Sequence, residues 1–146
     1  MKFNLILDDM ELIKDNFEKF TSPLEDIDKK IRNKTQQNFQ LGLVINKKDE
    51  NDIKLGLNYK IEISQRVLEN DEELSNASVE YIFVFKDVDN NTVNSVKNEE
   101  LTEDEFGELV TYLNELVYPY IKEYLEGKYK KANILLKLPL NLKEER

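Results

Sequence analysis

The sequence is 146 residues long and strongly acidic, with 30 Asp and Glu residues against 21 Lys and Arg and a net charge of −9 at pH 7. Because like charges repel, this surface disfavours nucleic-acid phosphates and anionic membranes, and we expect neither a nucleic-acid partner nor membrane insertion. The sequence has no Cys and no His, which excludes disulfide bonds, Cys nucleophiles and Ser-His-Asp catalysis. We therefore expect no enzyme activity, no catalytic residues, no metal site and no cofactor.

Composition also predicts the kind of chain. A hydrophobic fraction of 40%, with only 4 Gly and 3 Pro, predicts a single globular domain over residues 1–146. The N-terminal residues lack the apolar run of a signal peptide, and no stretch approaches the roughly 18 apolar residues of a membrane span. The expected location is the cytoplasm. The frequent Lys and Asn residues are typical of AT-rich bacterial or phage genes.

The N-terminal segment contains two kinds of pattern. Phe3, Leu5 and Leu7 alternate along the chain, as in a strand. From Met10 to Phe20 the apolar residues recur at helical spacing, but a bent or bulged strand fits them equally. Residues 22–25, Ser-Pro-Leu-Glu, then combine a possible N-cap with Pro at the first helical position and Glu two positions later, and they predict a short helix. The inward residues of this helix would be Leu24, Ile27 and Ile31.

Three antiparallel strands are predicted in the middle of the chain. Apolar residues alternate from Phe39 to Ile45 and again from Ile53 to Ile63, with a polar turn at 47–52 between them. A second turn at 69–76 leads to the last strand. Its apolar residues on one face are Val79, Tyr81, Phe83 and Phe85. Because the other face carries Ile82 and Val84, we expect this strand to be covered on both faces.

The segment from Asp87 to Asn91 has two interpretations. Its acidic and amide residues open like a calcium-binding loop, but Thr92 stands where that loop requires Gly and Asn98 where it requires Glu. The better interpretation is a turn that ends the strand. An acidic cluster follows at 99–105, which fits either the start of a helix, where the helix dipole favours carboxylates, or a docking site for a basic partner.

A long helix is predicted from Thr102 onward. Thr102 and Glu105 form a capping box, in which each side chain bonds the backbone N–H of the other residue. Gly127 is placed to end the helix. Pro119 lies inside the pattern, frees the carbonyl of Glu115 and should kink the helix. The apolar stripe of this helix consists of Phe106, Leu109, Val110, Leu113, Val117, Tyr120, Ile121 and Tyr124.

Aromatic residues crowd the last two predicted strands and the helix. Such residues fit a hydrophobic core, but a single sheet and a single helix offer few places to bury all of them. Tyrosine rings with accessible apolar faces also suit a binding groove or a subunit interface. We therefore take this set as candidates for client binding: Tyr59, Tyr81, Phe83, Phe85, Tyr118, Tyr120 and Tyr124.

Several strings resemble the SecB family of export chaperones and its SecB-like relatives. Residues 12–18 are similar to the family's first-strand pattern, with a Lys-Asp pair before Phe-Glu. Residues 116–122, with Pro119 between two Tyr residues, resemble its helix motif. Residues 135–142 look like its alternating Leu residues followed by Pro and Asn. The order of the elements matches the family over nearly the whole chain.

The resemblance implies an α+β fold, a four-stranded antiparallel sheet with a long kinked C-terminal helix packed on one face. It favours a strand for the segment from Met10 to Phe20. It also implies a chaperone that assembles as a homodimer or tetramer and binds unfolded polypeptides, or a dedicated client such as an antitoxin or a phage protein, in apolar grooves. Protein transport is the role of the family's export members. The alternative is a non-catalytic structural or adaptor protein of a phage or mobile element that uses the fold for assembly.

Overall fold

The computed structural model describes residues 2–20, 31–131, 136 and 138. They belong to two compact units, a sheet unit within Asn4–Glu100 and a helix unit within Met1–Phe3 and Leu101–Arg146. The elements in chain order are β1 Leu5–Lys19, β2 Ile31–Asn46, β3 Asp49–Val67, β4 Glu73–Asp87, α1 Asn91–Lys97 and α2 Glu103–Lys131. The predicted α+β class, a four-stranded antiparallel sheet followed by a long C-terminal helix, is confirmed.

The sheet has the order β1-β4-β3-β2, and every neighbouring pair is antiparallel. The two central strands, β3 and β4, carry an apolar face on which alternate residues are buried, because side chains of a strand point to opposite faces in turn. We call this the apolar face of the sheet. Its buried members are Leu55, Leu57, Tyr59, Ile61 and Ile63 on β3 and Ala77, Val79, Tyr81, Phe83 and Phe85 on β4.

The segment from Met10 to Phe20 lies mostly in β1, so the strand interpretation is confirmed. The pairing of β1 with β4 is irregular between Leu7 and Asp9 and again between Leu12 and Lys14. Each irregularity inserts one extra residue into β1, as in a β-bulge. The spacing of residues on one face therefore changes from two to three at each insertion, and this change imitates the spacing of a helix.

The strand β2 begins eight residues before the alternating pattern that predicted it. The predicted helix at 22–31 lies outside the described residues except for Ile31, which begins β2 and is 46% exposed, so its assignment as an inward helical residue is wrong. From Arg32 to Asn38, β2 is polar on both faces. This part is a strand because it pairs with β3, beginning with Ile31 opposite Val67, although it has no alternating apolar pattern.

Two further expectations about the strands need correction. The two turns predicted at 47–52 and 69–76 are shorter than predicted, because β3 already begins at Asp49 and β4 at Glu73. Ile82 and Val84, on the face of β4 opposite the apolar face, are only half-buried. The prediction that β4 is covered on both faces is therefore not met in this chain.

The segment after β4 is the predicted turn, and it leads into a helix that was not predicted. Asp87 accepts a hydrogen bond at Oδ2 from the backbone N–H of Val93 (2.9 Å), and Asp89 accepts one at Oδ1 from Asn91 (3.1 Å). Burial raises the pKa of Asp87, and its contact with the Asp89 carboxyl raises it further. The acidic residues of this turn therefore hold the start of α1.

The helix α2 begins with the predicted capping box. The N–H of Thr102 donates to Glu105 Oε1 and the N–H of Glu105 donates to Thr102 Oγ1, both at 3.2 Å. The predicted end at Gly127 is wrong, because Gly127 does not adopt the positive φ of a helix-ending glycine and α2 continues to Lys131. Tyr129 is fully buried beyond that point, and Lys residues fill the last turn, where the helix dipole favours them.

The buried stripe of α2 differs in part from the predicted one. Phe106 and Tyr120 are exposed, whereas Tyr118, Leu125 and Tyr129 are buried. Pro119 lies inside the helix, and the kink at this residue stays a prediction. In the part of the chain that the structure describes, no helix is both long enough and apolar enough to cross a membrane.

Candidate functional site

Four of the candidate aromatic residues lie on the apolar face of the central strands. Tyr59 is opposite Tyr81 across the β3–β4 pair, and Phe83 and Phe85 follow on β4 at the same face. The ring of Tyr81 stacks on that of Phe83 with a centroid distance of 5.5 Å, and Tyr59 meets Phe83 edge-on at 6.4 Å. These distances are those of stabilising aromatic pairs, so Tyr59, Tyr81 and Phe83 form one cluster.

This cluster extends to the outer strand β2 through a residue that was not among the candidates. The ring of Phe39 meets that of Tyr59 edge-on with a centroid distance of 4.8 Å. Tyr59 and Phe83 are fully buried, whereas Phe39 is half-exposed. Phe39 is therefore the accessible end of an aromatic row that consists of Phe39, Tyr59, Phe83 and Tyr81.

The chemistry of the row is that of a neutral apolar surface. Burial raises the pKa of Tyr81, and the nearby carboxylate of Asp15 raises it further. The phenol of Tyr81 therefore remains protonated at physiological pH. In the described ranges, no group of three or more His, Cys, Asp or Glu side chains is placed to hold a metal ion.

The other three candidates lie on α2 and differ in exposure. Tyr118 is buried, Tyr124 is half-buried with the Nζ of Lys128 at 6.0 Å from its ring centroid, and Tyr120 is 47% exposed. Tyr120 is thus the candidate with the most accessible ring. Tyr59, Tyr81, Phe83, Phe85 and Tyr118 are buried in this chain, as core residues are, and a role for them in binding stays a prediction.

The accessible apolar surface of the sheet lies on its outer strands. On β2, Phe39, Leu41 and Leu43 share the apolar face with the buried residues of β3 but are only half-buried. On β1, Met10 and Leu12 share the same face and are 39% and 40% exposed. We call these five residues the apolar rim. The alternating apolar residues of β2 could have identified the rim residues on that strand. The bulges of β1 break the alternation there, so Met10 and Leu12 could not be assigned to the same face from the sequence.

The opposite face of the sheet, which we call the polar face, carries charged and amide side chains that pair with one another, beside the half-buried Ile82 and Val84. Lys54 Nζ donates to Asp8 Oδ2 at 2.8 Å, Asn58 donates to Glu80 at 3.3 Å, and Arg66 pairs with Glu73 at 2.8 Å. The hydrogen bond from Lys54, together with its charge, lowers the pKa of Asp8. These contacts are typical of a solvated sheet surface and do not bring together a catalytic acid and base.

Comparison with known proteins agrees with this architecture. No protein-family model matches the sequence, and no curated protein matches it. Among solved structures, the chain is similar to a SecB-like chaperone of Mycobacterium tuberculosis that was solved in complex with a peptide from an antitoxin. The TM-score is 0.61 and the identity 13%, and the match covers 94% of this chain and 90% of that one. The chain therefore has a SecB-like fold.

Proposed function

We propose that this protein is a SecB-like chaperone that binds non-native polypeptides, or one dedicated client protein, through apolar surface and without catalysis. The observation that carries the proposal is the apolar rim, where Phe39, Leu41 and Leu43 continue the buried face of the sheet into accessible positions. The similar mycobacterial protein is described as a chaperone bound to an antitoxin peptide, which supports the same kind of partner here. We place this activity in the cytoplasm, as the sequence predicts.

The physical basis of binding is the removal of apolar area from water. Burial contributes about 25 cal/mol per Å² of apolar surface, so a client segment that covers the half-exposed rim gains free energy from both partners. Binding of this kind gives a negative heat-capacity change. Tyr120 and Phe106, both exposed on α2, offer further apolar contacts within the helix unit.

The test is suppression of aggregation. A denatured, slow-folding protein is diluted into buffer with and without this chain, and light scattering is followed. We expect suppression that largely persists in about 0.5 M salt, where charges are screened beyond a few ångströms. Suppression that salt abolishes would indicate attraction to the acidic surface instead and would contradict an apolar site.

A matched pair of variants locates the binding surface. Leu41→Ser removes an apolar side chain from the rim, whereas Leu68→Ser makes the same change at a leucine that is 55% exposed outside the strands. We expect Leu41→Ser to weaken suppression and Leu68→Ser to leave it unchanged, with circular dichroism confirming that both variants fold. Equal activity of the two variants would remove the rim from the proposal.

Assembly separates the chaperone from its alternative. We expect a homodimer or tetramer, which light scattering of the purified chain would measure against the 17.3 kDa monomer. An assembled chain that suppresses the aggregation of no client would instead support the structural or adaptor protein of a phage or mobile element. The two outer strands, each paired on one side only among the described strands, give that alternative a means of assembly.

A further inference from the structure

A single sulfur atom lies in the part of the chain that the structure describes, and it belongs to Met10. The sequence contains no Cys and two Met residues, of which Met1 is outside the described residues. Met10 lies on β1, is 39% exposed and belongs to the apolar rim. A thioether packs as an apolar group, but a peroxide converts it to a polar one. Met10 is therefore the rim residue whose polarity a mild oxidant can change.

Met10 ends a row of apolar side chains that crosses the four strands. The strand pairing places Met10 opposite Phe83, Phe83 opposite Leu57, and Leu57 opposite Leu41. All four side chains point to the apolar face, where directly opposite neighbours lie about 5 Å apart. Phe83 and Leu57 are fully buried, whereas Met10 and Leu41, at the two ends, are accessible. A polar group at Met10 therefore changes an accessible end of this row rather than its buried middle.

The reaction of this thioether with a hydroperoxide balances without any other group of the protein. The sulfur attacks the terminal oxygen of the peroxide and the O–O bond breaks. A proton moves from the attacked oxygen to the leaving oxygen, which departs as water or an alcohol. The sulfur loses two electrons and becomes a sulfoxide, and the peroxide gains the same two. Because hydrogen peroxide is uncharged, the carboxylates of Asp9 and Glu11, the neighbours of Met10 in the chain, do not repel it.

We propose that Met10 is an oxidation site through which a hydroperoxide controls client binding, because the sulfoxide lowers the affinity of the apolar rim for its client. This inference rests on the proposed function and adds a covalent control to it. The sulfoxide oxygen accepts hydrogen bonds from water, and an apolar client segment that covers it removes those bonds without replacing them. Reduction by methionine sulfoxide reductases restores the thioether and, with it, the binding.

Mass spectrometry tests whether a peroxide reaches the sulfur. The full chain, folded or unfolded in urea, is treated with hydrogen peroxide, and the gain of one oxygen atom at Met10 is followed over time in the peptide that contains it. We expect the rate in the folded chain to lie within about tenfold of the rate in the unfolded chain, because the side chain is 39% exposed. Stronger protection than that would show that the sulfur is shielded and would overturn the proposal.

The aggregation assay measures the effect of oxidation on binding. We expect the oxidised chain to require about threefold or more protein for half-maximal suppression than the untreated chain, and reduction to reverse this change. Met10→Leu removes the thioether, so treatment should not change the value measured for that variant. A matched control combines Met10→Leu with Leu68→Met, which moves the thioether to a position that is 55% exposed outside the strands. Treatment should oxidise this control without loss of suppression, and circular dichroism should show that every chain stays folded.

The contrary results separate this inference from the proposed function. Unchanged suppression by a chain that is fully oxidised at Met10 would refute control by oxidation and leave the chaperone proposal standing. An equal loss of suppression in treated Met10→Leu, or in the control with the relocated thioether, would place the sensitive group elsewhere and would refute it as well. No suppression by the untreated chain would refute the chaperone proposal, and this inference with it, whatever mass spectrometry finds at Met10.

Discussion

Leu57 on β3 and Leu41 on β2 are partners across the sheet, yet they lie in different environments. Both point to the apolar face, but Leu57 is fully buried and Leu41 is half-exposed. Leu55 and Leu43, the next pair on that face, differ in the same way. The strand β3 has a neighbour on each side, whereas β2 has one among the described strands. Residues of one type on one face therefore serve as core in β3 and as accessible surface in β2.

The largest effect that follows from this comparison concerns stability. We expect Leu57→Ala to lower the free energy of unfolding by about 2–5 kcal/mol, because it removes a fully buried side chain and leaves a cavity. Leu41→Ala should cost roughly half as much or less, because solvent already reaches that side chain. Urea unfolding of both variants gives the two values. Equal losses would mean that β2 is as deeply packed as β3, and the rim would no longer be a binding surface.

The same difference explains which parts of the fold the sequence could predict. Alternation identified β3, β4 and the second half of β2, because one face of each is apolar. It could not identify the part of β2 from Arg32 to Asn38, where polar residues occupy both faces and only the pairing with β3 shows a strand. Local hydrogen bonding predicted the start of α2 at Thr102, whereas Gly127 did not end it. A glycine permits a helix end but does not impose one.

The residues of the candidate site were harder to predict from the sequence than the strands. An aromatic residue such as Tyr59 gives the same local pattern whether its strand is central or outer, and strand order depends on contacts between residues far apart in sequence. Seven candidates were therefore chosen by residue type and position, and Phe39, at the accessible end of the aromatic row, was not among them. The part of the surface that does follow from the sequence is the stretch of β2 from Thr35 to Asn46, which contains no charged residue, whereas β1 contains seven.

A pair of glycines sharpens the comparison on the polar face. Gly42 on β2 lies opposite Gly56 on β3. A Cβ atom on Gly42 meets nothing within 4 Å, whereas one on Gly56 lies 3.1 Å from Cγ2 of Val44. We expect Gly42→Ala to stabilise the chain by about 0.4–1 kcal/mol, because alanine restricts the unfolded chain and no contact opposes it. Gly56→Ala should gain less or destabilise the chain, since Val44 must move.

Thermal unfolding of the two alanine variants measures the difference between these positions. The helix glycine Gly127 serves as a control, because a Cβ atom there also meets nothing within 4 Å. Alanine at Gly127 should stabilise as well, since it improves helix propensity. An increase in melting temperature for Gly56→Ala as large as for Gly42→Ala would show that Val44 on β2 can move away from the added methyl group without loss of stability.

The smallest effect concerns the ion pair between Asp8 on β1 and Lys54 on β3, which spans β4 on the polar face. The hydrogen bond and charge of Lys54 lower the pKa of Asp8 from its ordinary value of 3.8. A lowered pKa in the folded state means that the stabilisation is present above the ordinary value and is lost as the pH falls through the lowered one. Asp8→Asn should therefore reduce the melting temperature slightly at pH 7.

The pH dependence distinguishes this pair from a general effect of charge. The difference between the wild-type chain and Asp8→Asn should disappear as the pH falls below 3.8 and through the lowered pKa of Asp8. It should also shrink in high salt, because the pair is exposed to solvent. Glu11→Gln removes the same charge from the same strand and is the control. If both variants shift the melting temperature equally at every pH, the contact between Asp8 and Lys54 does not contribute to the stability of the folded chain.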